Sequence, residues 1–253
     1  MKNPLKTKLK EGKMVLGPWI GLAHSEVPIR LSNLGFDFLL YDMEHNPLDR
    51  ESVAEMIKFQ GYQKNCVPLV RLPWNNIWLA KHMLDVGAYG LVIPWINTRE
   101  EAINAVQYCK YPPWGVRGCA PGYAAFQDPK YIETANDETM VIVQIETKMA
   151  IDNLEAILSV EGIDATLIGP LDMAMSYDWY GKPDRLENTK RAVKKIVKVC
   201  KKYGVAPGMA VEPDLGIELG IQCIFTASPT AWMVEGGKRL IDHVKDTGKW
   251  KPV

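Results

Sequence analysis

The chain has 253 residues, 47% of them hydrophobic and 24% charged, and its 30 lysine and arginine residues balance 30 aspartate and glutamate residues. This even charge excludes a protein whose main partner is nucleic acid, because phosphate binding needs a basic surplus. No apolar run approaches the roughly 20 residues that span a bilayer, and the basic N-terminal segment lacks the apolar stretch of a secretory signal. We therefore expect no membrane association.

The cysteines lie far apart, at positions 66, 109, 119, 200 and 223, and none belongs to a C-x-x-C pair. An odd number of scattered cysteines is typical of a reducing compartment rather than of a disulfide framework. The sequence therefore predicts a cytoplasmic protein.

Short apolar segments alternate with helix-like segments along the whole chain. The predicted strands are 15–23, 36–42, 67–72, 89–96, 139–146, 164–170, 205–211 and 223–228. Helices are predicted up to about 34, then at 49–62, 75–87, 98–110, 147–160, 187–203, in a short stretch ending at 219, and at 229–245. Two boundaries carry specific signals, since Gly87 suits a helix C-terminus and Thr98 with Glu101 suits an N-terminal capping box.

Eight strands with helical crossovers predict an α/β protein, a (β/α)₈ TIM barrel that forms one domain over residues 1–253. A doubly wound open sheet is the alternative, although no G-x-G-x-x-G follows the first strand to support it. Residues 111–138 are too long for an ordinary connection. Such an insertion is typical of a functional loop or lid, or of an oligomer contact.

Polar residues follow several predicted strands at the end where barrel enzymes do their chemistry. They are Asp42, Glu44 and His45 after strand two, Arg71 after strand three, Gln144 and Glu146 after strand five, and Gly169, Pro170 and Asp172 after strand six. Glu146 and Asp172, on neighbouring strands, suit a hard cation such as Mg²⁺ or Mn²⁺ that keeps several waters. Alternatively, each is a helix N-terminal acid favoured by the helix dipole. None of the predicted strands ends in a lysine, which argues against Schiff-base chemistry.

Six segments, in order along the chain, carry a resemblance to a known family. They are YDMEH, VRLPW, MLDVG, KYPPWGVRG, VQIET and IGPLDM. Together they resemble the HpcH/HpaI family of metal-dependent pyruvate aldolases, which includes 4-hydroxy-2-oxoheptane-1,7-dioate and 2-dehydro-3-deoxyglucarate aldolases. The resemblance implies a barrel of the phosphoenolpyruvate/pyruvate type. It also implies a homo-oligomer, a trimer or hexamer, whose last helix is exchanged between subunits.

The resemblance also implies individual roles. Glu146 and Asp172 would be ligands of a divalent metal ion (Mg²⁺, Mn²⁺ or Co²⁺), His45 the general base, and Arg71 the group that stabilises the enolate. Asp85 would raise the basicity of His45, with Asp42 as the rival for this role, while Glu44 receives no definite role. The positions expected to contact the pyruvate half are Gln144, Gly169, Pro170, Leu171 and Asp172, with Leu171 acting through its backbone N–H.

The reaction implied is cleavage of a 4-hydroxy-2-oxo acid to pyruvate and an aldehyde through a metal-stabilised enolate. The partners would therefore be a small 2-oxo acid and an aldehyde. A 2-oxo-acid decarboxylase, a carbon–carbon-forming synthase and a non-catalytic 2-oxo-acid binder remain alternatives. Two departures from the family pattern, Ala124 with Ala125 and the segment CIFTASPTAWM, fall where the aldehyde half would be recognised.

Overall fold

The computed structural model describes residues 1–61 and 65–247, and within them eight parallel strands close into a barrel in chain order. The strands are β1 (Val15–Ile20), β2 (Phe38–Asp42), β3 (Val67–Arg71), β4 (Gly90–Ile93), β5 (Met140–Ile145), β6 (Ala165–Ile168), β7 (Gly208–Ala210) and β8 (Cys223–Thr226). The predicted (β/α)₈ barrel is therefore confirmed. Most strands are shorter than predicted because apolar residues at their ends, such as Leu22, Pro94 and Ile96, belong to loops.

Helices connect each strand to the next, as the crossover rule for parallel strands requires, and one further helix precedes the first strand and another follows the last. They are α1 (Pro4–Lys10), α2 (Glu26–Leu31), α3 (Arg50–Gln60), α4 (Ile77–Asp85), α5 (Arg99–Cys109), α6 (Gly122–Gln127), α7 (Tyr131–Glu138), α8 (Lys148–Asp152), α9 (Leu154–Leu158), α10 (Pro170–Ser176), α11 (Arg185–Tyr203), α12 (Pro213–Leu219) and α13 (Pro229–Asp246). The predicted capping box of Thr98 and Glu101 is present. Gly87, just beyond α4, has the positive φ of 106° that a helix C-terminus favours in glycine.

The sequence prediction differs from the structure at several helices, and it did not include α6, α7 or α10. The single helix predicted over 147–160 is broken into α8 and α9 at Asn153, whose side chain donates to the backbone oxygen of Asn97. The prediction also missed α1, which closes the N-terminal end of the barrel by placing Leu5 and Leu9 in the core. The predicted end of the second helix, at 62, lies outside the described residues.

The C-terminal ends of the strands form one end of the barrel, which we call the mouth. Strand register sets the position of the polar residues there along the barrel axis. Asp42 of β2 pairs with Arg71 of β3, and Ile145 of β5 pairs with Ile168 of β6. Because adjacent strands end level with each other, the side chains at and just beyond these positions converge on one rim.

The insertion at 111–138 lies between α5 and β5, at the N-terminal end of the barrel and therefore opposite the mouth. It carries α6 and α7, and Tyr111, Ala124 and Tyr131 form a small core with Met1. Of the alternatives predicted for this insertion, a lid over this chain's own mouth does not fit, because a helix-to-strand connection lies at the opposite end of the barrel; an oligomer contact stays a prediction.

The last helix, α13, lies on the outside of the barrel with little covering it. Pro229 is the only buried residue of this fully described helix, and Trp232 stacks on Phe36 at a centroid distance of 5.8 Å. In the part of the chain that the structure describes, no helix is long and apolar enough to cross a membrane.

Candidate active site

The floor of the mouth is built on an ion pair between Arg71 and Asp42. Arg71 Nε donates to Asp42 Oδ1 at 2.7 Å and Nη2 donates to Oδ2 at 2.8 Å, and both side chains are buried. The guanidinium also lies over the Trp19 ring, 4.4 Å from its centroid. These contacts hold Arg71 in one orientation, with its remaining nitrogen, Nη1, directed towards the other polar groups of the mouth.

Asp42 also organises the loop that follows β2. Its Oδ1 accepts the backbone N–H of Glu44 at 3.1 Å and that of His45 at 3.4 Å, and its Oδ2 accepts from Asn46 Nδ2 at 2.5 Å. Burial raises the pKa of Asp42, but hydrogen bonds and charge from Arg71, with these donors, bring the pKa below its ordinary value. Asp42 therefore stays ionised and orients the backbone of His45 rather than its imidazole.

Glu44 is the acid that the structure brings towards His45. Its Oε2 lies 3.8 Å from His45 Nε2 and forms an ion pair with Arg71 Nη1 at 2.9 Å. The geometry of neither contact satisfies a hydrogen bond. Desolvation, opposed by the charge of Arg71, raises the pKa of Glu44 to about 7. The His45 side chain, in contrast, is 62% exposed and free to reach a bound molecule. Sequence reasoning gave Glu44 no definite role, because its contact with Arg71 of β3 joins residues distant in sequence.

A second group of acids, Glu146 and Asp172, lies at the ends of β5 and β6. The pKa of Glu146 is raised above its ordinary value, mainly by burial and further by the charge of Asp172. Hydrogen bonds from Gln144 and from the Trp95 backbone oppose this rise. Gly169 lies between the two carboxylates. A Cβ atom at Gly169 would meet Glu146 Oε2 at 3.1 Å and Asp172 Oδ2 at 3.3 Å, so both oxygens face the same small space.

This pair fits a divalent cation with few protein ligands. Across residues 1–61 and 65–247, no group of three or more histidine, cysteine, aspartate or glutamate side chains has the geometry to hold a metal ion. Two converging carboxylates are nevertheless the donor set of a Mg²⁺-type site that takes its other ligands from substrate and water. The absent side chain of Gly169 leaves the space that such an ion needs.

The loop after β4 contributes a donor that the sequence did not reveal. Trp95 has a left-handed backbone with φ 59°, and its N–H donates to Glu146 Oε1 at 3.0 Å. Asn97 holds this loop by donating to the Trp95 oxygen at 3.1 Å and by pairing with the Thr147 hydroxyl. A backbone donor leaves no signature in side-chain types, so the uncharged segment PWIN gave no sign of it.

The residues expected to contact pyruvate lie beside these groups. Gln144 Oε1 accepts from Arg71 Nη1 at 3.5 Å, and Gln144 Nε2 donates to Glu146 Oε2. Gly169 is the N-cap of α10 without a side-chain cap, so the N–H of Leu171 in the first turn has no acceptor within the helix. The mouth encloses a cavity of about 410 Å³, which Arg71, Gln144 and Gly169 line in part.

Asp85 does not join this group within one chain. It ends α4, on the return towards the start of β4, and therefore lies at the opposite end of the barrel from His45. There it accepts a 2.7 Å hydrogen bond from Nη2 of the buried Arg117. The predicted contact between Asp85 and His45 is thus absent within a subunit, because helix α4 runs antiparallel to the strands.

The fold and this site define an enzyme of the (β/α)₈ class with a carboxylate-lined mouth, and comparison with known proteins agrees. The family model for HpcH/HpaI aldolase/citrate lyase matches residues 16–214. The 4-hydroxy-2-oxo-heptane-1,7-dioate aldolase of Salmonella paratyphi C (strain RKS4594) is 37% identical over 249 residues, covering 95% of this chain and 94% of the relative. The chain therefore belongs to the HpcH/HpaI aldolase/citrate lyase family, and it is a carbon–carbon lyase of the aldolase type.

Solved structures show the same architecture. An HpcH/HpaI aldolase/citrate lyase family protein from Burkholderia cenocepacia J2315 superposes with a TM-score of 0.89 at 31% identity, over 96% of this chain and 100% of the other. Macrophomate synthase superposes with a TM-score of 0.81 at 24% identity, over 97% of this chain and 90% of the other. The second likeness shows the fold alone.

Proposed function

We propose that this aldolase is metal-dependent and cleaves a 4-hydroxy-2-oxo acid to pyruvate and an aldehyde. The observation that carries the proposal is the convergence of Glu146 and Asp172 on the space beside Gly169, next to Arg71 and Gln144. A 2-oxo acid needs groups of this kind, since its carboxylate and keto oxygens bind a hard cation and its developing negative charge needs a fixed positive one.

Glu146 and Asp172 would hold the divalent cation, with Mg²⁺, Mn²⁺ and Co²⁺ as candidates. When bound, the cation supplies Lewis-acid polarisation of the keto group. The N–H donors of Trp95 and Gln144 keep Glu146 oriented towards this place. The N–H of Leu171, in the first turn of α10, would donate to the substrate carboxylate.

His45 would take the proton from the C4 hydroxyl as the C3–C4 bond breaks. The electron pair of that bond goes to C3, giving the enolate of pyruvate, and C4 leaves as the aldehyde carbon. Arg71 stabilises the negative charge on the enolate oxygen, and Asp42 keeps its guanidinium in place. Glu44, near His45 and Arg71, would exchange protons with the imidazole, because a carboxyl with a pKa of about 7 is poised between its two forms.

We also propose a homo-oligomer in which α13 packs on a neighbouring subunit. Met233, Val234, Leu240 and Ile241 are all exposed, and their spacing of seven residues puts them on one side of the helix. A contact between Asp85 and His45 would then require the Asp85 of another subunit.

We also propose a cytoplasmic location. The five cysteines are free, and the reducing conditions of a cytoplasm would keep them so.

The proposal is tested by exchange of the pyruvate methyl protons with solvent deuterium, followed by NMR. We expect exchange with added Mn²⁺, loss of exchange with EDTA, and loss in Glu146→Gln. Cleavage products separate the related reactions, since a decarboxylase would release CO₂ and an aldolase an aldehyde. Exchange that survives both chelation and Glu146→Gln would overturn the proposed mechanism.

A further inference from the structure

The cavity at the mouth has two unlike sides. Arg71, Gln144 and Gly169 line the side assigned above to the 2-oxo acid. The facing wall comes from the last two strands and the start of α13, and it presents small side chains and hydroxyl groups. Its members are Ala210, Ala227, Ser228, Thr230 and Ala231. Given the proposed aldolase function, this wall faces the aldehyde half of the substrate.

The charges around the cavity oppose a second anionic group. Among the described residues that line it, Arg71 provides the only cation, and this guanidinium is already engaged by Asp42 and Glu44. Four carboxylates surround the mouth, those of Asp42, Glu44, Glu146 and Asp172. A divalent cation would be balanced by Glu146 and Asp172, and Arg71 is balanced by Asp42, so no positive charge is left for an additional substrate carboxylate.

The N-terminus of α13 borders the same wall but offers little to an anion. A helix N-terminus generally favours negative charge through its free N–H groups. Here Ser228 Oγ accepts the N–H of Ala231 at 3.3 Å, and Pro229 has no N–H. What remains available on the wall is the pair of hydroxyls on Ser228 and Thr230, whose oxygens lie 2.7 Å apart.

We propose that the aldehyde half of the substrate is short and uncharged and carries a hydroxyl group. The alanines leave room for its carbon chain, and the hydroxyls of Ser228 and Thr230 hydrogen-bond its hydroxyl. This class differs from the substrate in the name of the Salmonella relative, a heptane-1,7-dioate, which has a carboxylate at each end. Cleavage of such a dioate between C3 and C4 leaves its second carboxylate on the aldehyde.

The test is pyruvate condensation, with Mn²⁺, onto three aldehydes: glyceraldehyde, propanal and succinic semialdehyde. We expect kcat/KM for glyceraldehyde to exceed that for succinic semialdehyde by at least about tenfold. It should exceed that for propanal by about three- to tenfold, which is the range of one hydrogen bond. The double variant Ser228→Ala/Thr230→Ala should remove the advantage over propanal. A preference for succinic semialdehyde, or an unchanged ratio in the double variant, would overturn the proposal.

Introducing a positive charge on the wall tests this assignment directly. Ala231→Arg places a cation on the cavity wall and should raise kcat/KM for succinic semialdehyde relative to glyceraldehyde. Ala156→Arg, on the exposed surface of α9, is the matched control and should leave this ratio unchanged. An unchanged ratio in Ala231→Arg contradicts the assignment of this wall. Exchange of pyruvate methyl protons needs no aldehyde, so its presence in all variants separates failure of this proposal from failure of the aldolase function.

Discussion

The backbone N–H of Trp95 donates a 3.0 Å hydrogen bond to Oε1 of Glu146, across the gap between β4 and β5. Trp95 adopts a left-handed backbone to do so, with φ 59°, a conformation that costs a non-glycine residue about 1 kcal/mol. A residue with no chemistry of its own thereby orients a proposed metal ligand. The cost is offset by Asn97, which ties the loop to Thr147 and to the Trp95 oxygen.

Asn97→Ala should weaken Mn²⁺ binding by about tenfold, the scale found when groups that orient metal ligands are removed. Calorimetric titration of the purified protein with Mn²⁺ measures this directly, without relying on activity. Trp95→Gly is the matched control, because it keeps the N–H and suits the positive φ, and it should retain the affinity. Equal affinities in Asn97→Ala and the unmodified protein would contradict a positioning role for this loop.

Arg71→Ala should lower the free energy of unfolding by about 3–5 kcal/mol, because it leaves the buried Asp42 carboxylate without its partner. Urea unfolding of Arg71→Ala, Asp42→Ala and the double variant gives the coupling energy of the pair. We expect the double variant to be more stable than the sum of the two single effects predicts. Simple additivity would show that the ion pair, despite its geometry, contributes no coupling.

His45→Ala should reduce the rate of aldol cleavage by about 10²- to 10⁴-fold, the usual contribution of a general base. Its free energy of unfolding should change by less than about 0.5 kcal/mol, since the side chain is 62% exposed. His243→Ala, on the exposed surface of α13, is the control and should alter neither quantity. A large loss of stability in His45→Ala would identify His45 as a structural residue instead.

The metal-free protein should lose stability as the pH rises from about 4.5 to 7, owing to Glu44. Its pKa is raised to about 7 in the folded state, so in this window the folded chain keeps a proton that the unfolded chain releases. At about 1.4 kcal/mol per pKa unit, and allowing for partial solvation, the effect is about 2 kcal/mol. Unfolding in urea with EDTA present, at pH 4.5 and 7, measures it.

Glu44→Gln is the comparison variant for this pH effect. The amide has no proton to release, so the difference in stability between this variant and the unmodified protein should grow with pH in favour of the variant. A pH-independent difference would show that the Glu44 carboxyl titrates in its ordinary range. The titrating groups distant from Glu44 are the same in both proteins, so their contributions cancel in this difference.

Leu240→Glu should shift the protein towards a monomer, because it places a charge on the apolar side of α13 that is proposed to pack on a neighbour. Light scattering coupled to size-exclusion chromatography gives the mass of both proteins. Arg239→Glu, an exposed substitution on the opposite side of α13 from these apolar residues, is the control for a change of charge on the same helix. An oligomer of unchanged mass in Leu240→Glu would rule out α13 as its interface.

Local sequence patterns were sufficient to predict a large part of the fold. Two-residue and 3.6-residue periodicities are properties of neighbouring residues, so the alternation of strands and helices, and with it the barrel, could be predicted. The same patterns located the end of each strand to within a few residues, and this placed Arg71, Glu146 and Asp172 at one rim. Weaker signals failed, as at α1, where a basic segment concealed two core leucines.

By itself, the sequence determined the barrel and the polar residues at its mouth, because strand position along the chain decides which end of the barrel a residue occupies. Only the tertiary structure decided which of them meet. Asp42 binds Arg71 rather than the imidazole of His45, Glu44 takes the place nearest that imidazole, and Asp85 lies at the far end with Arg117. These contacts depend on the register between strands and on the direction of the returning helices, which join residues distant in sequence and leave no mark in any local pattern.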